Sequence, residues 1–152
     1  MAARQGAGHG RIRLGAPAVT GTFLVILLLL GPGAVAAQDS EARSVLDGVY
    51  SEAQAERGQR AFNTHCGECH ITEEFSGESF QNMVGGDPVA QFYNFVRSSM
   101  PYENPASLSR RAYLDVMAYI LYLNDYPAGD EDLPATVDAL SEIYFPEVGD
   151  DH

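Results

Sequence analysis

The only two cysteines of the 152-residue chain lie three positions apart and are followed at once by a histidine, in Cys66-Gly67-Glu68-Cys69-His70. Three chemistries compete for this pattern, and each demands a different setting from the rest of the fold. A redox dithiol of thioredoxin type belongs at the end of a strand within a βαβ unit, and no such unit can be read here. A structural zinc site takes four ligands; Cys66, Cys69 and His70 leave at least one to be found elsewhere, and adjacent Cys69 and His70 are poorly disposed for a tetrahedron. Covalent haem attachment uses every residue of the C-x-x-C-H signature. Each thiol adds to one vinyl group of the porphyrin, and His70 becomes an intramolecular iron ligand at high effective concentration. Against it stands a disulfide or free dithiol beside an incidental histidine.

The compartment bears on the choice. Before Asp39 the chain has no acidic residue, and it carries Arg4, Arg11 and Arg13 ahead of the apolar run Phe23 to Leu30. Breakers follow, and Ala34-Val35-Ala36 supplies the small residues at −3 and −1 of a secretory signal peptide. Cleavage is expected near Ala36 or Ala37, which assigns residues 1–36 to the signal. An uncleaved membrane anchor is the competing reading, but Pro17, Gly21, Pro32 and Gly33 interrupt the longer run. The remainder is expected to be an exported, periplasmic domain.

That remainder is 116 residues long, enough for one small core and not for two. It contains six arginines, no lysine and all 21 acidic residues, a formal charge of −15. Such a surface repels nucleic acid and anionic lipid and steers toward basic partners in a salt-dependent way. The same lysine-free acidity also suits a protein that must stay soluble in concentrated salt.

The pattern along the chain predicts an all-α fold. A helix is expected from Ser51 into the cysteine motif, with Ser51 and Gln54 in capping-box spacing. "GESFQNMVGGD" holds too much glycine for regular structure. A second helix is expected to restart at Asp87 as N-cap with Pro88 in the first turn, burying Val89, Phe92, Phe95 and Val96. The strongest helical periodicity follows Ser109, where Tyr113, Val116, Ile120 and Leu123 recur. Arg110 and Arg111 break a local rule there, because the helix dipole favours acids in a first turn. After an acidic turn, "ATVDALSEI" predicts one short final helix, and no convincing strand is read.

A haem iron has a second axial position. Of four methionines, Met1 leaves with the signal and Met117 lies inside the final long helix, as core filler. Met100 follows a helix end and precedes Pro101, which removes a backbone donor and restricts Met100 to extended geometry. Met100 is therefore the expected distal ligand, with Met83 as the second candidate. His9 belongs to the signal, His152 ends an acidic tail, and His65 adjoins Cys66, so a bis-histidine haem is not expected.

With these residues in view, the chain resembles a monohaem class I cytochrome c. The match rests on Gly58 and Phe62 in the first helix, Cys66, Cys69 and His70 after it, Met100-Pro101, and "LDVMAYILYLN" in the last helix. The resemblance implies about four helices wrapped around one covalently bound haem c, with Gly58 crossing near Tyr119 and Phe62 packed nearby. It implies His70 and Met100 as axial iron ligands. It also divides the chain into an N-terminal extension at 37–50, a cytochrome c domain at 51–126 and an acidic C-terminal extension at 127–152. "VYSEAQAERGQRAF", "SMPYENPASLSRRAYLDVMAYIL" and "NDYPAGDEDLP" are similar to small cytochrome c proteins associated with quinoprotein alcohol dehydrogenases. One departure stands out. The proline loop that supplies a carbonyl to the ring N–H of the histidine in that family is replaced here by "TEEFSGES", which leaves the partner of His70 unassigned.

The expected function is then single-electron transfer by a carrier that is not itself an enzyme. It would run from a dehydrogenase or quinol-oxidising complex toward a terminal oxidase, with no nucleic acid and with membrane only if the signal stays attached. The alternatives are a haem enzyme or sensor with an open sixth site, for peroxide reduction or gas binding, and the haem subunit of a dehydrogenase. Arg97 is the one distal acid-base candidate near Met100, and a surface or haem-propionate contact is its simpler role.

Overall fold

The computed structural model describes residues 42–147 and residue 149. The signal segment read over residues 1–36, with Met1 and His9, lies outside them, as does His152. The described chain is helical, as the periodicity predicts. Among the described residues the α-helices are α1 (Glu52–His65), α2 (Gly77–Val84), α3 (Val89–Ser99), α4 (Arg110–Leu123) and α5 (Val137–Ser141), with longer loops on either side of α4. The only paired strands among the described residues are two-residue pieces, β1 (Arg43–Ser44) and β2 (Ile143–Tyr144), which run parallel with Arg43 opposite Ile143. Among those residues no helix is long and apolar enough to cross a membrane.

The helix starts follow local chemistry with two changes. Ser51 Oγ accepts the Gln54 amide at 3.0 Å, and Ser109 Oγ accepts the Ala112 amide at 3.1 Å. Gln54 does not close a capping box back onto Ser51. Its Oε1 instead accepts the Leu133 amide at 2.7 Å, so the glutamine holds the C-terminal segment against α1. At the head of α3 the N-cap is Pro88 rather than Asp87, and no side chain caps it; the Asp87 carboxylate takes the Gln91 amide group instead.

Two expectations are corrected. The glycine-rich stretch forms α2, because its glycines stand at the ends and not in the middle. Gly77 (φ +73°) opens the helix and Gly86 (φ +74°) lies just past it, both in the left-handed region that glycine adopts without strain. Between them Phe80 and Val84, one turn apart, are buried. Phe80 packs edge-on against Phe92 and Phe145 at ring separations of 5.3 and 6.2 Å. The second correction concerns α3, whose buried side is Val89, Ala90, Phe92 and Tyr93, while Phe95 is 60% exposed. Tyr93 finds an edge-on partner in Tyr113, and nothing comparable covers Phe95.

The centre of the fold is the crossing of α1 and α4. A Cβ on Gly58 would lie 1.8 Å from the Asp115 carbonyl oxygen and 2.8 Å from Tyr119 Cβ, so the helices touch backbone to backbone where only glycine fits. Phe62 packs on Tyr119 at 5.8 Å just beside the contact. Across the same interface Arg57 donates to both carboxylate oxygens of Asp115, at 3.0 and 3.2 Å, and to Asp132.

The core does not stop at residues 51 and 126. Val45, Val49 and Tyr50 before α1, and Leu133, Leu140, Ile143 and Phe145 after α4, belong to one hydrophobic cluster with Phe62, Tyr113, Val116 and Ile120. Gly129 makes the join close: its amide donates to the Tyr50 carbonyl at 2.7 Å, and a Cβ there would meet the Gly48 carbonyl oxygen at 2.0 Å. Both members of the basic pair at the head of α4 find partners, only the first of them in this segment. Arg110 Nη1 donates to the Ala135 carbonyl at 3.0 Å, and Arg111 stands one turn before Asp115, 3.9 Å from its carboxylate.

Candidate functional site

The cysteine motif is a continuation of α1. Cys66 and Gly67 amides donate to the Phe62 carbonyl, and Cys69 and His70 amides return to the Cys66 carbonyl at 3.0 and 2.9 Å. One tight turn therefore carries Cys66, Cys69 and His70 at positions i, i+3 and i+4, the spacing that puts side chains on one side of a helical turn. Both thiols are free; Cys66 is half-buried and Cys69 exposed. Burial pushes the Cys66 thiol above its ordinary pKa. A redox dithiol depends on the opposite shift, toward the thiolate.

His70 has a defined orientation. Its Nδ1 lies 2.8 Å from Glu74 Oε2, and its ring meets Phe75 edge-on at 5.4 Å. In the neutral ring a carboxylate acceptor at Nδ1 selects the Nδ1–H tautomer, which leaves the lone pair on Nε2. Glu74 and Phe75 belong to a single 3-10 turn, Thr72–Phe75, that follows the motif directly. Asn124 at the end of α4 secures that turn. Its Nδ2 donates to the Phe75 and Ile120 carbonyls, both at 2.8 Å, and its Oδ1 accepts the Gly77 amide at 3.1 Å. Phe75 also packs edge-on to Phe62 at 5.7 Å, so the histidine rests on the helix crossing through two aromatic contacts.

Met100 ends α3 in extended geometry (φ −126°, ψ 151°), as its place before proline requires, and the Met100–Pro101 peptide is cis. Its amide donates to the Val96 carbonyl at 2.8 Å, and its own carbonyl accepts the Tyr113 hydroxyl at 2.7 Å. The histidine is thus supported from Asn124 at one end of α4, and the methionine from Tyr113 near the other. Eleven residues of helix separate those anchors, about 16 Å at the usual rise. Of the other methionines, Met117 is buried in the core and Met83 is exposed on α2. His65 is exposed in the last turn of α1, and Arg97 is exposed, its carbonyl accepting the Ala106 amide.

The residues fit a haem. The donor set is two free thiols, an imidazole with Nε2 open, and a thioether on a pinned backbone. Among the described residues no three His, Cys, Asp or Glu side chains converge as a site for a metal ion alone. Large apolar side chains on the segments bearing these ligands are exposed: Ile71 by 61%, Phe95 by 60%, Tyr102 by 86%.

Sequence reasoning missed Glu74 and Asn124. The spacing of His70 and Glu74, one turn apart, is the only sequence signal for the first. Comparison with protein-family models, with curated proteins and with solved structures found no match to this chain.

Proposed function

We infer that this chain is an exported one-electron carrier of class I cytochrome c type, holding one haem c through thioethers to Cys66 and Cys69, with His70 as proximal and Met100 as distal iron ligand. The observation that carries the reading is the single turn Cys66–His70, which presents two free thiols and an imidazole whose Nδ1 is already committed to Glu74. The bound group supplies reversible one-electron iron chemistry. The chain's own residues do the rest.

Cys66 and Cys69 tether; His70 binds through Nε2 in an orientation set by Glu74 and Phe75. Met100 offers a soft thioether, which favours ferrous iron and raises the reduction potential. Ile71, Phe95 and Tyr102, exposed on the segments that carry these ligands, would shield a bound haem from water. Asp and Glu outnumber Arg over the exported part, and this acidity would guide docking to basic patches on donor and acceptor proteins. A quinoprotein dehydrogenase as donor and a terminal oxidase as acceptor are the partners the sequence resemblance suggests, and the periplasm is the compartment its N-terminal pattern suggests.

The test is spectroscopic. Protein produced with c-type haem maturation should give a pyridine haemochrome spectrum for two thioether bonds that survives denaturation, and Cys66→Ala with Cys69→Ala should abolish it. The ferric form should show the weak far-red sulfur-to-iron band, lost in Met100→Ala and kept in Met83→Ala. Rapid carbon monoxide binding by the ferrous protein would favour the open-site enzyme or sensor instead.

A further inference from the structure

The segment after His70 is where the chain departs from the proline loop of the family it resembles, and it is also where the histidine finds its partner. Glu74 Oε2 lies 2.8 Å from His70 Nδ1. The contact is not that of a loose surface pair. His70 is held edge-on by Phe75, the residue next to Glu74, and the carbonyl of Phe75 is fixed by Asn124. The backbone of the 3-10 turn is thus anchored to α4 on one side while its carboxylate meets the imidazole on the other.

A carbonyl and a carboxylate do different things to a ligating histidine. Both accept the Nδ1 proton and fix the ring, but a carboxylate adds a full negative charge to the hydrogen bond. Charge-assisted bonds are about twice as strong as neutral ones, and a carboxylate partner makes the imidazole a more basic ligand. A more basic ligand stabilises the ferric over the ferrous state. Glu74 is half-exposed, with 49% of its side chain open to water, so solvent screens part of that effect.

We propose that Glu74 is a positioning residue for the axial histidine, with its carboxylate orienting His70 and lowering the reduction potential of the bound haem below what a carbonyl acceptor would give. The proposal rests on the haem reading above. It makes Glu74 an opposing control to Met100: the thioether pulls the potential up, and the carboxylate behind the histidine pulls it down.

The experiment compares haem-loaded wild type with Glu74→Gln, Glu74→Ala and Glu73→Gln by redox titration and by ferric electron paramagnetic resonance. Glu73 is the matched control, since it carries the same charge on the same turn and its carboxylate contacts Thr72 rather than His70. Glu74→Gln keeps an acceptor oxygen but removes the charge. It should shift the reduction equilibrium about tenfold toward the ferrous form, about 59 mV for a one-electron couple. Glu74→Ala should match or exceed this and also alter the resonance anisotropy, because the ring is released. Glu73→Gln should change the equilibrium less than about twofold, as expected of an exposed charge screened by salt. Equal shifts for Glu74→Gln and Glu73→Gln, or none in either, overturn the assignment while the carrier reading stands. A wild-type protein without thioether-bound haem overturns both.

Discussion

The crossing of α1 and α4 and the surface around Cys66, His70 and Met100 are built to opposite rules. At the crossing two backbones meet at Gly58, and Asp115, 8% exposed, has both carboxylate oxygens filled by Arg57. Buried Gln54 and Asn124 are likewise partnered, and no buried side-chain polar atom among the described residues lacks a hydrogen bond. Around the motif the reverse holds. Ile71, Phe95 and Tyr102 are exposed, and the His70 ring is held through Nδ1 to Glu74, itself open to water. The crossing meets its polar needs from within the chain, whereas the surroundings of the motif leave large apolar side chains in solvent.

Replacement of one residue on each side of α3 tests this contrast most sharply. Phe92→Ala, in the buried cluster with Phe80, should cost about 3–5 kcal/mol in urea denaturation. Gly58→Ala should follow at about 3 kcal/mol, because α1 and α4 must part to admit a methyl group. A loss below about 1 kcal/mol there would show that the two helices are not in backbone contact. Asp115→Asn should cost about 1–2 kcal/mol, since Arg57 keeps Asp132 and stays partly hydrated. Its effect should be non-additive with Arg57→Met in a double-mutant cycle.

Tyr50→Phe should cost about 1 kcal/mol at neutral pH, for the bond from its hydroxyl to the Tyr126 carbonyl at 2.6 Å. Its pH signature is more telling. Burial, helped by nearby acidic and phenolic groups, pushes the Tyr50 hydroxyl from 10.0 to about 12. The neutral form is the one the fold holds, so its contribution is complete below pH 10 and disappears as pH rises through about 12. Denaturation midpoints measured from pH 9 to 12 should fall less steeply in the variant. Smallest of all, Phe95→Ser in protein produced without haem maturation should change stability by no more than about 0.5 kcal/mol. A loss comparable to that of Phe92→Ala would mean that the ring is already covered.

The helical class and the cysteine turn were legible because both are written locally. Periodic apolar residues mark α4, and C-x-x-C-H fixes three side chains within five residues. What escaped the sequence is mostly non-local. Gln54 reads as half of a capping box until Leu133, 79 positions away, claims its oxygen. Asn124 looks like an ordinary helix end, yet it is the bracket for the turn bearing Glu74. Glycine content misleads over residues 77–86 because position matters more than number: the glycines bound α2 and Phe80 with Val84 drives it inward. Phe95 falls on the helical stripe by spacing alone, but Tyr93 takes the inward place opposite Tyr113. The segments outside 51–126 were read as extensions because their acidity masks seven apolar residues that complete the core.

The short pairing of β1 with β2 ties together two stretches 99 positions apart. The Arg43 amide donates to the Glu142 carbonyl at 2.8 Å, and Phe145, just beyond β2, returns its own amide to the Asp87 carbonyl at 3.0 Å. One short ladder thus clips the segment before α1 and the turn before α3 to the same strand, so loosening that strand would free both at once.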